Sequence, residues 1–335
     1  MSDESFESFS LGLKELKNLL DLNLSLDYCG SITKKGRLEY VSSALIHLNS
    51  LSVLNLDYDS RDQTCDEDIK SLSHCFEFLP SLKIFKLSLK SCKFMTNDGI
   101  KYLGLGLACL TSLKTLELSF SHGPTTQKIE NIAHSLEKLV NLSELKVHFV
   151  HCYNIDSQGI ERLFESFRYL NSLIDLDLGF SGCNVVNDLA LKFLSSNFSH
   201  FQHLEKLKLN FSTNIKISDV GLENLALNLD MLSSLHSIDW SFPNCHNISD
   251  NGIKSLSLGL QKLKSLTKLN LGFANNKNIG EKAIENLVSN ISHLELEASF
   301  SFMQCQEINK ERLKIICSPL NRCIIFFNHY NMFNK

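Results

Sequence analysis

No run of about 18 uncharged apolar residues occurs in this 335-residue sequence, so nothing in it reads as a membrane-spanning helix. The opening residues, MSDESFESFSLGLKELKNLL, also lack a basic segment followed by a continuous apolar stretch. That argues against a secretory leader and predicts an intracellular, cytoplasmic protein with no membrane partner. Charge of one sign is scarce as well: the formal net charge is -4, which provides no general pull toward nucleic acid. The eleven cysteines form no CxxC pair, and the chain is too long to need a disulfide framework in place of a core. A Gly-rich kinase loop with its lysine and the HRD and DFG motifs are missing, and no nucleophile, base and orienting acid can be assigned from spacing. No catalytic residue, metal or cofactor is therefore expected.

What is present is a repeat. Aligned on the first leucine, copies begin at Leu19, Leu51, Leu82, Leu113, Leu142, Leu173, Leu204, Leu235 and Leu266, at intervals of 29 to 32 residues. Two degraded copies follow, around Ala298 and at Leu320 to Phe327. About ten repeats of about 31 residues thus fill residues 1–335 as one expected solenoid, with no linker visible. The first half of each copy alternates, as Leu207, Leu209 and Phe211 do, which predicts a strand with one buried face. In the second half, spacings such as Ile253, Leu256, Leu260 and Leu263 put an apolar stripe on a helix. Thr96, Asp156, Asn187, Ser218 and Ser249 share one repeat position and predict a recurring N-cap.

One strand and one helix per copy require an α/β solenoid with parallel strands and right-handed connections. Because helices are wider than the roughly 4.8 Å between strands, the stack is expected to curve into a horseshoe, with a concave sheet and convex helices. The pattern LxxLxLxFxxC followed by xxIxDxGIxxLxxxLxxL resembles the leucine-rich repeat, in particular its ribonuclease-inhibitor-like and cysteine-containing subclasses. The resemblance covers residues 2 to 328; a period of 31 and an added Phe in the strand depart from it. It implies a non-enzymatic scaffold that binds a protein through its concave sheet and strand-exit loops. Two alternatives follow from the same likeness: a regulatory array acting with a separate kinase or ubiquitin-ligase component, and a GTPase activator using an exposed arginine. Of six arginines, Arg37 and Arg61 are its loop candidates.

Candidate positions divide between scaffold and surface. Phe120, Phe149, Phe180, Phe211, Phe242 and Phe273 share the strand face of the core leucines and predict an internal spine. Cys29, Cys92, Cys152, Cys183, Cys245 and Cys305 alternate with Asn214 and Asn276 at the strand exit, where a small hydrogen-bonding side chain meets loop backbone. His122 and His151 occupy one position on adjacent copies, with His148 close by; no fourth ligand at fixed spacing makes them a metal site. The acidic stretch LDYDSRDQTCDED fails as a calcium loop, because Arg61 stands where a ligand is needed and Asp62 where the turn needs Gly. It reads either as a recognition loop or as a solvated loop without a role. Asp27, Tyr28, Asp57, Asp59 and Lys90, with His122, His148 and His151, make up the candidate partner-binding set.

The series Lys86, Glu117, Lys146, Asp177, Lys208 and Asp239 alternates in sign, flanked by Asn55 and Asn270, and predicts a charge ladder on the outer sheet face. Lys208 is either a rung of the scaffold or a partner contact. Residues 2–18 align with 249–265, so that residues 1–18 read as a helical half-repeat, a cap or the continuation of a longer array. At the other end, the terminal strand and tail of residues 320–335 carry an apolar edge, expected to be covered by the tail, by a partner or by self-association.

Overall fold

The computed structural model describes residues 3–26, 36–59, 66–92, 95–122, 129–306, 310–320, 322–327 and 330–331. Contacts divide the chain into two compact units, Met1–Asn171 and Ser172–Lys335. In the first, helices α1 (Asp3–Leu13), α2 (Arg37–Leu45), α3 (Asp66–Cys75), α4 (Asn97–Leu107), α5 (Glu130–Leu136) and α6 (Ser157–Ser166) alternate with five strands. These are β1 (Asp21–Ser25), β2 (Val53–Asp59), β3 (Ile84–Lys90), β4 (Thr115–Ser121) and β5 (Glu144–Val150). All pair parallel in chain order, so that Asn23, Asn55, Lys86, Glu117 and Lys146 lie in one row across the sheet.

The second unit repeats the plan with α7 (Asp188–Ser196), α8 (Asp219–Leu227), α9 (Asp250–Leu260), α10 (Glu281–Ile291) and α11 (Lys310–Cys317). Its strands β6 (Asp175–Gly179), β7 (Lys206–Asn210), β8 (Ser237–Ser241), β9 (Lys268–Gly272), β10 (Glu297–Ser301) and β11 (Arg322–Phe327) are parallel. A short β12 (Tyr330–Asn331) returns antiparallel on the end of β11, pairing with Phe326 and Phe327. The tail thus covers part of that apolar edge, one of the three occupants expected there. Each unit is an α/β leucine-rich-repeat solenoid.

Alternate strand residues are buried against the helices, as Leu54, Leu56 and Tyr58 are in β2. The phenylalanine row is internal. Phe120 stacks on Phe149 with centroids 4.6 Å apart. In the second unit Phe180, Phe211, Phe242, Phe273 and Phe302 follow one another at 6.1, 5.8, 5.5 and 5.9 Å. All seven are essentially inaccessible to solvent. Removing one such ring from a close-packed core costs about 3–5 kcal/mol.

Strands β3 to β10 leave the sheet through a residue in the left-handed region. Ser91, His122 and His151 do so in the first unit; Gly182, Thr213, Asn244, Asn275 and Gln304 do so in the second. The chain there turns sharply, and after His151, Thr213, Asn244, Asn275 and Gln304 the next residue, Cys or Asn, secures the turn to the previous copy. Cys152 Sγ donates to the Phe120 carbonyl at 3.7 Å, Cys245 Sγ to Phe211 at 3.3 Å and Cys305 Sγ to Phe273 at 3.2 Å. The Nδ2 of Asn276 donates to Phe242 at 2.8 Å. Burial pushes the thiols of Cys245 and Cys305 up to about 12 and about 11, so both remain protonated donors at neutral pH.

The caps form as expected: Thr96, Asp156, Asn187, Ser218 and Ser249 each accept from an amide of the first helical turn. An aspartate adjoining the cap adds a link that periodicity does not reveal. Asp188 accepts from Ser218 N at 2.8 Å and from its hydroxyl at 2.6 Å; Asp219 does the same for Ser249 at 2.7 and 2.6 Å. Asp66 likewise holds Thr96 in the first unit. Gly252 is required beside this link, because a Cβ there would collide with the Asp219 carboxylate.

Candidate interaction surface

With helices on one side, most outer positions of each sheet stay exposed or half-buried, although Asp177 in β6 is buried, 7% exposed. In the first unit they carry the first half of the predicted ladder. Lys86 Nζ lies 3.3 Å from Glu117 Oε2, directly opposite in register. Lys146, the next rung, reaches Glu144 in its own strand at 2.6 Å. Hydrogen bonding to Lys146 holds the Glu144 carboxyl below its ordinary value, against a smaller opposing effect of burial. In the second unit Asp177, Lys208 and Asp239 are register neighbours, and Lys208 Nζ lies 3.8 Å from Asp177 Oδ2. A parallel row adds Lys206 with Asp175 at 3.8 Å and Arg322 with Glu297 at 2.6 Å. Half-exposed pairs of this kind contribute about 0.2–1 kcal/mol each.

The candidate set of single residues is only partly brought together. Lys90 Nζ lies 2.7 Å from Asp57 Oδ2 across adjacent strands. Burial raises the Asp57 carboxyl, but hydrogen bonds from Lys90 and Ser88 and the Lys90 charge outweigh it and hold the group below its usual range. Asp59 is buried, 8% exposed, at the end of the same strand. Asp27 and Tyr28 lie outside the described residues, as do Cys29 and Arg61.

Arg37 is not the exposed arginine that a GTPase-activating finger would need. It is 7% exposed and donates to the carbonyls of Leu26 at 2.6 Å and Asp59 at 2.8 Å. Its guanidinium sits 5.0 Å from the centroid of the Tyr58 ring, which is itself buried and donates its hydroxyl to Asp68. Arg37 therefore ties the exits of two strands together.

At the strand-exit edge the imidazoles of His122 and His151 stack, centroids 5.2 Å apart and planes 18° from parallel. Tyr153, which sequence reasoning did not single out, is 70% exposed beside them, its hydroxyl 3.1 Å from His151 Nδ1. His148 stands opposite Ser119 on the sheet face. Two stacked rings do not converge on a point, and among the described residues no group of three or more His, Cys, Asp or Glu is placed to hold a metal. No described helix is long and apolar enough to cross a membrane.

No family model matches the chain, and no curated protein matches it. Among solved structures it is similar to the tropomodulin C-terminal domain of Caenorhabditis elegans, with 16% identity, 48% of this chain and 90% of that one covered, and a TM-score of 0.36. It is also similar to the Rad7 and Elc1 complex of yeast, with 17% identity, coverage of 96% and 81% respectively, and a TM-score of 0.41. The assignment to a leucine-rich-repeat fold rests on the strand register and helix order of each unit.

Proposed function

We propose that this chain is a non-enzymatic, intracellular protein-interaction scaffold of the ribonuclease-inhibitor-like kind, binding a protein partner on the open sheet faces and strand-exit loops. The supporting observation is the parallel sheet with one face free. Parallel sheets are ordinarily covered on both faces, whereas the outer rows here are polar side chains held in register, such as Lys86 beside Glu117 and Lys208 beside Asp177. A preordered surface of this sort binds without a large ordering cost. Asp57, Lys90, His122, His148 and His151 are the contacts proposed in the first unit, together with Asp27 and Tyr28, which the sequence alone nominates.

The test is cross-linking of the full chain in its native cell, followed by mass spectrometry and by Lys86→Glu and Lys208→Glu in turn. Cross-links should fall on outer strand positions and exit loops, and at least one reversal should weaken capture of the cross-linked partner roughly tenfold or more. Cross-links confined to the helices, with capture intact in both variants, would overturn the reading.

A further inference from the structure

A groove of about 390 Å³ runs over the outer face of β1 to β4, bordered by Asn23, Asn55, Asp57, Lys86, Ser88 and Glu117. Its hydrogen-bond polarity is set from one end. The Asp21 carboxylate can only accept, so Asn23 turns its Nδ2 toward it, at 2.7 Å. That presents Asn23 Oδ1 to Asn55, which must answer with its own Nδ2. The amide orientation of Asn55 is thereby determined, and its Oδ1 faces away from β1.

Two acceptors are left over. Asn55 Oδ1 and Asp57 Oδ1 are buried and have no hydrogen-bond partner among the described residues. The nearby lysines are committed elsewhere: Lys90 to Asp57 Oδ2 at 2.7 Å, and Lys86 to Glu117 at 3.3 Å. The outer positions of β1 and β2, which include Asp21, Asn23, Ser25, Asn55 and Asp57, carry no basic side chain. Of the ionised groups bordering the groove, two are carboxylates and one is an ammonium. The floor therefore presents two unanswered acceptors beside carboxylates that are each paired with a lysine.

Residues 55 and 57 lie on the same face of one strand, about 6.6 Å apart along it. An ammonium offers its three donors from a single point, whereas a planar guanidinium spreads five donors across its edges and reaches two acceptors set apart along a strand. We propose that the groove receives an arginine side chain from an extended segment of the protein partner, with Asn55 Oδ1 and Asp57 Oδ1 as its acceptors. This rests on the reading of the open face as a binding surface and adds the chemistry of what enters it.

The experiment titrates the purified full chain with N-acetyl-Gly-Arg-Gly-amide and with its citrulline counterpart, equal in shape but uncharged. The side-chain amide resonances of Asn23 and Asn55 are followed by NMR. The arginine peptide should move both resonances and bind at least threefold more tightly than the citrulline peptide; Asn55→Leu should weaken it about tenfold. If Asn55→Leu does not fold, Asp57→Asn serves instead, since it keeps an acceptor and the side-chain volume; it should abolish the preference for arginine over citrulline. Silent resonances at tens of millimolar peptide, equal binding of the two peptides, or unchanged binding in the folded variants would overturn the assignment. A silent titration alongside partner capture that is lost on Lys208→Glu would sink the groove and leave the scaffold standing.

Discussion

The Nδ2 of Asn214 lies 2.9 Å from the carbonyl oxygen of Phe180, one repeat upstream, and its Oδ1 accepts from the amides of Val185 at 2.8 Å and Val186 at 3.0 Å. One buried amide thus closes the turn of its own copy and that of the copy before. Asn214→Ala orphans the amides of Val185 and Val186, each costing about 1–3 kcal/mol, and is expected to destabilise by about 3 kcal/mol or more. Asn214→Cys keeps the donor that Cys245 uses at the same position, so its loss should be smaller. Urea unfolding of both variants checks the order; equal losses would contradict it.

The Asp219 to Ser249 link and Gly252 form a coupled pair. Asp219→Ala should cost about 1 kcal/mol, the usual value of a cap contact. Gly252→Ala should cost about 1–3 kcal/mol through the Cβ collision. In the double variant the costs should add to less than their sum, because the carboxylate that the Cβ meets is gone. A double-mutant cycle by chemical denaturation reads this directly, and strict additivity would count against it.

Trp240 occupies a position filled by Leu209 and Leu271 in neighbouring strands, and its buried Nε1 has no hydrogen-bond partner among the described residues. Trp240→Phe removes some packing and also an unsatisfied donor. The two effects oppose each other, so the expected loss is below about 1.5 kcal/mol, against about 3–5 kcal/mol for Phe242→Ala. Thermal melts of the two variants decide it.

Asp68 should give stability an unusual pH dependence. Burial raises its carboxyl above the ordinary value, despite the hydrogen bonds from Tyr58 and Leu38 and the charge of Arg37. The native state therefore holds a proton that the unfolded chain has released. The corresponding stability is fully present below the ordinary carboxylate value and is lost as pH rises through the raised one. Asp57 and Glu144, whose carboxyls are lowered, act in the opposite sense: their contribution is present above the ordinary value and fades in more acid solution. Against Asp68→Asn, the wild type should lose relative stability with rising pH across the first window; against Glu144→Gln, it should lose relative stability on acidification. Unfolding free energies measured across pH for the three proteins test both signs.

Much of this protein is written in its sequence, because periodicity reports directly which face of an element is buried. The two-residue alternation gave the strands and the Phe spine; spacings of three and four, with Thr96, Ser218 and Ser249 ahead of them, gave the helices and caps. The Cys and Asn position was legible because its role is local to one turn. The candidate surface was legible only as rows. Opposite signs at Lys86 and Glu117 follow from register alone, but the pairing of Lys146 with Glu144 depends on side-chain conformation, which no repeat pattern encodes. Arg37 looked like an exposed loop residue and is instead buried against Tyr58, because two carbonyls that far apart in sequence converge on it only after the strands stack. The same holds for the Asp219 link and for the amide relay from Asp21 to Asn55. Sequence by itself determined the period, the elements and the core, since each depends on one-dimensional spacing; only the tertiary structure decided which polar groups found partners across some thirty residues and which, like the buried Asn55 Oδ1, found none among the described residues.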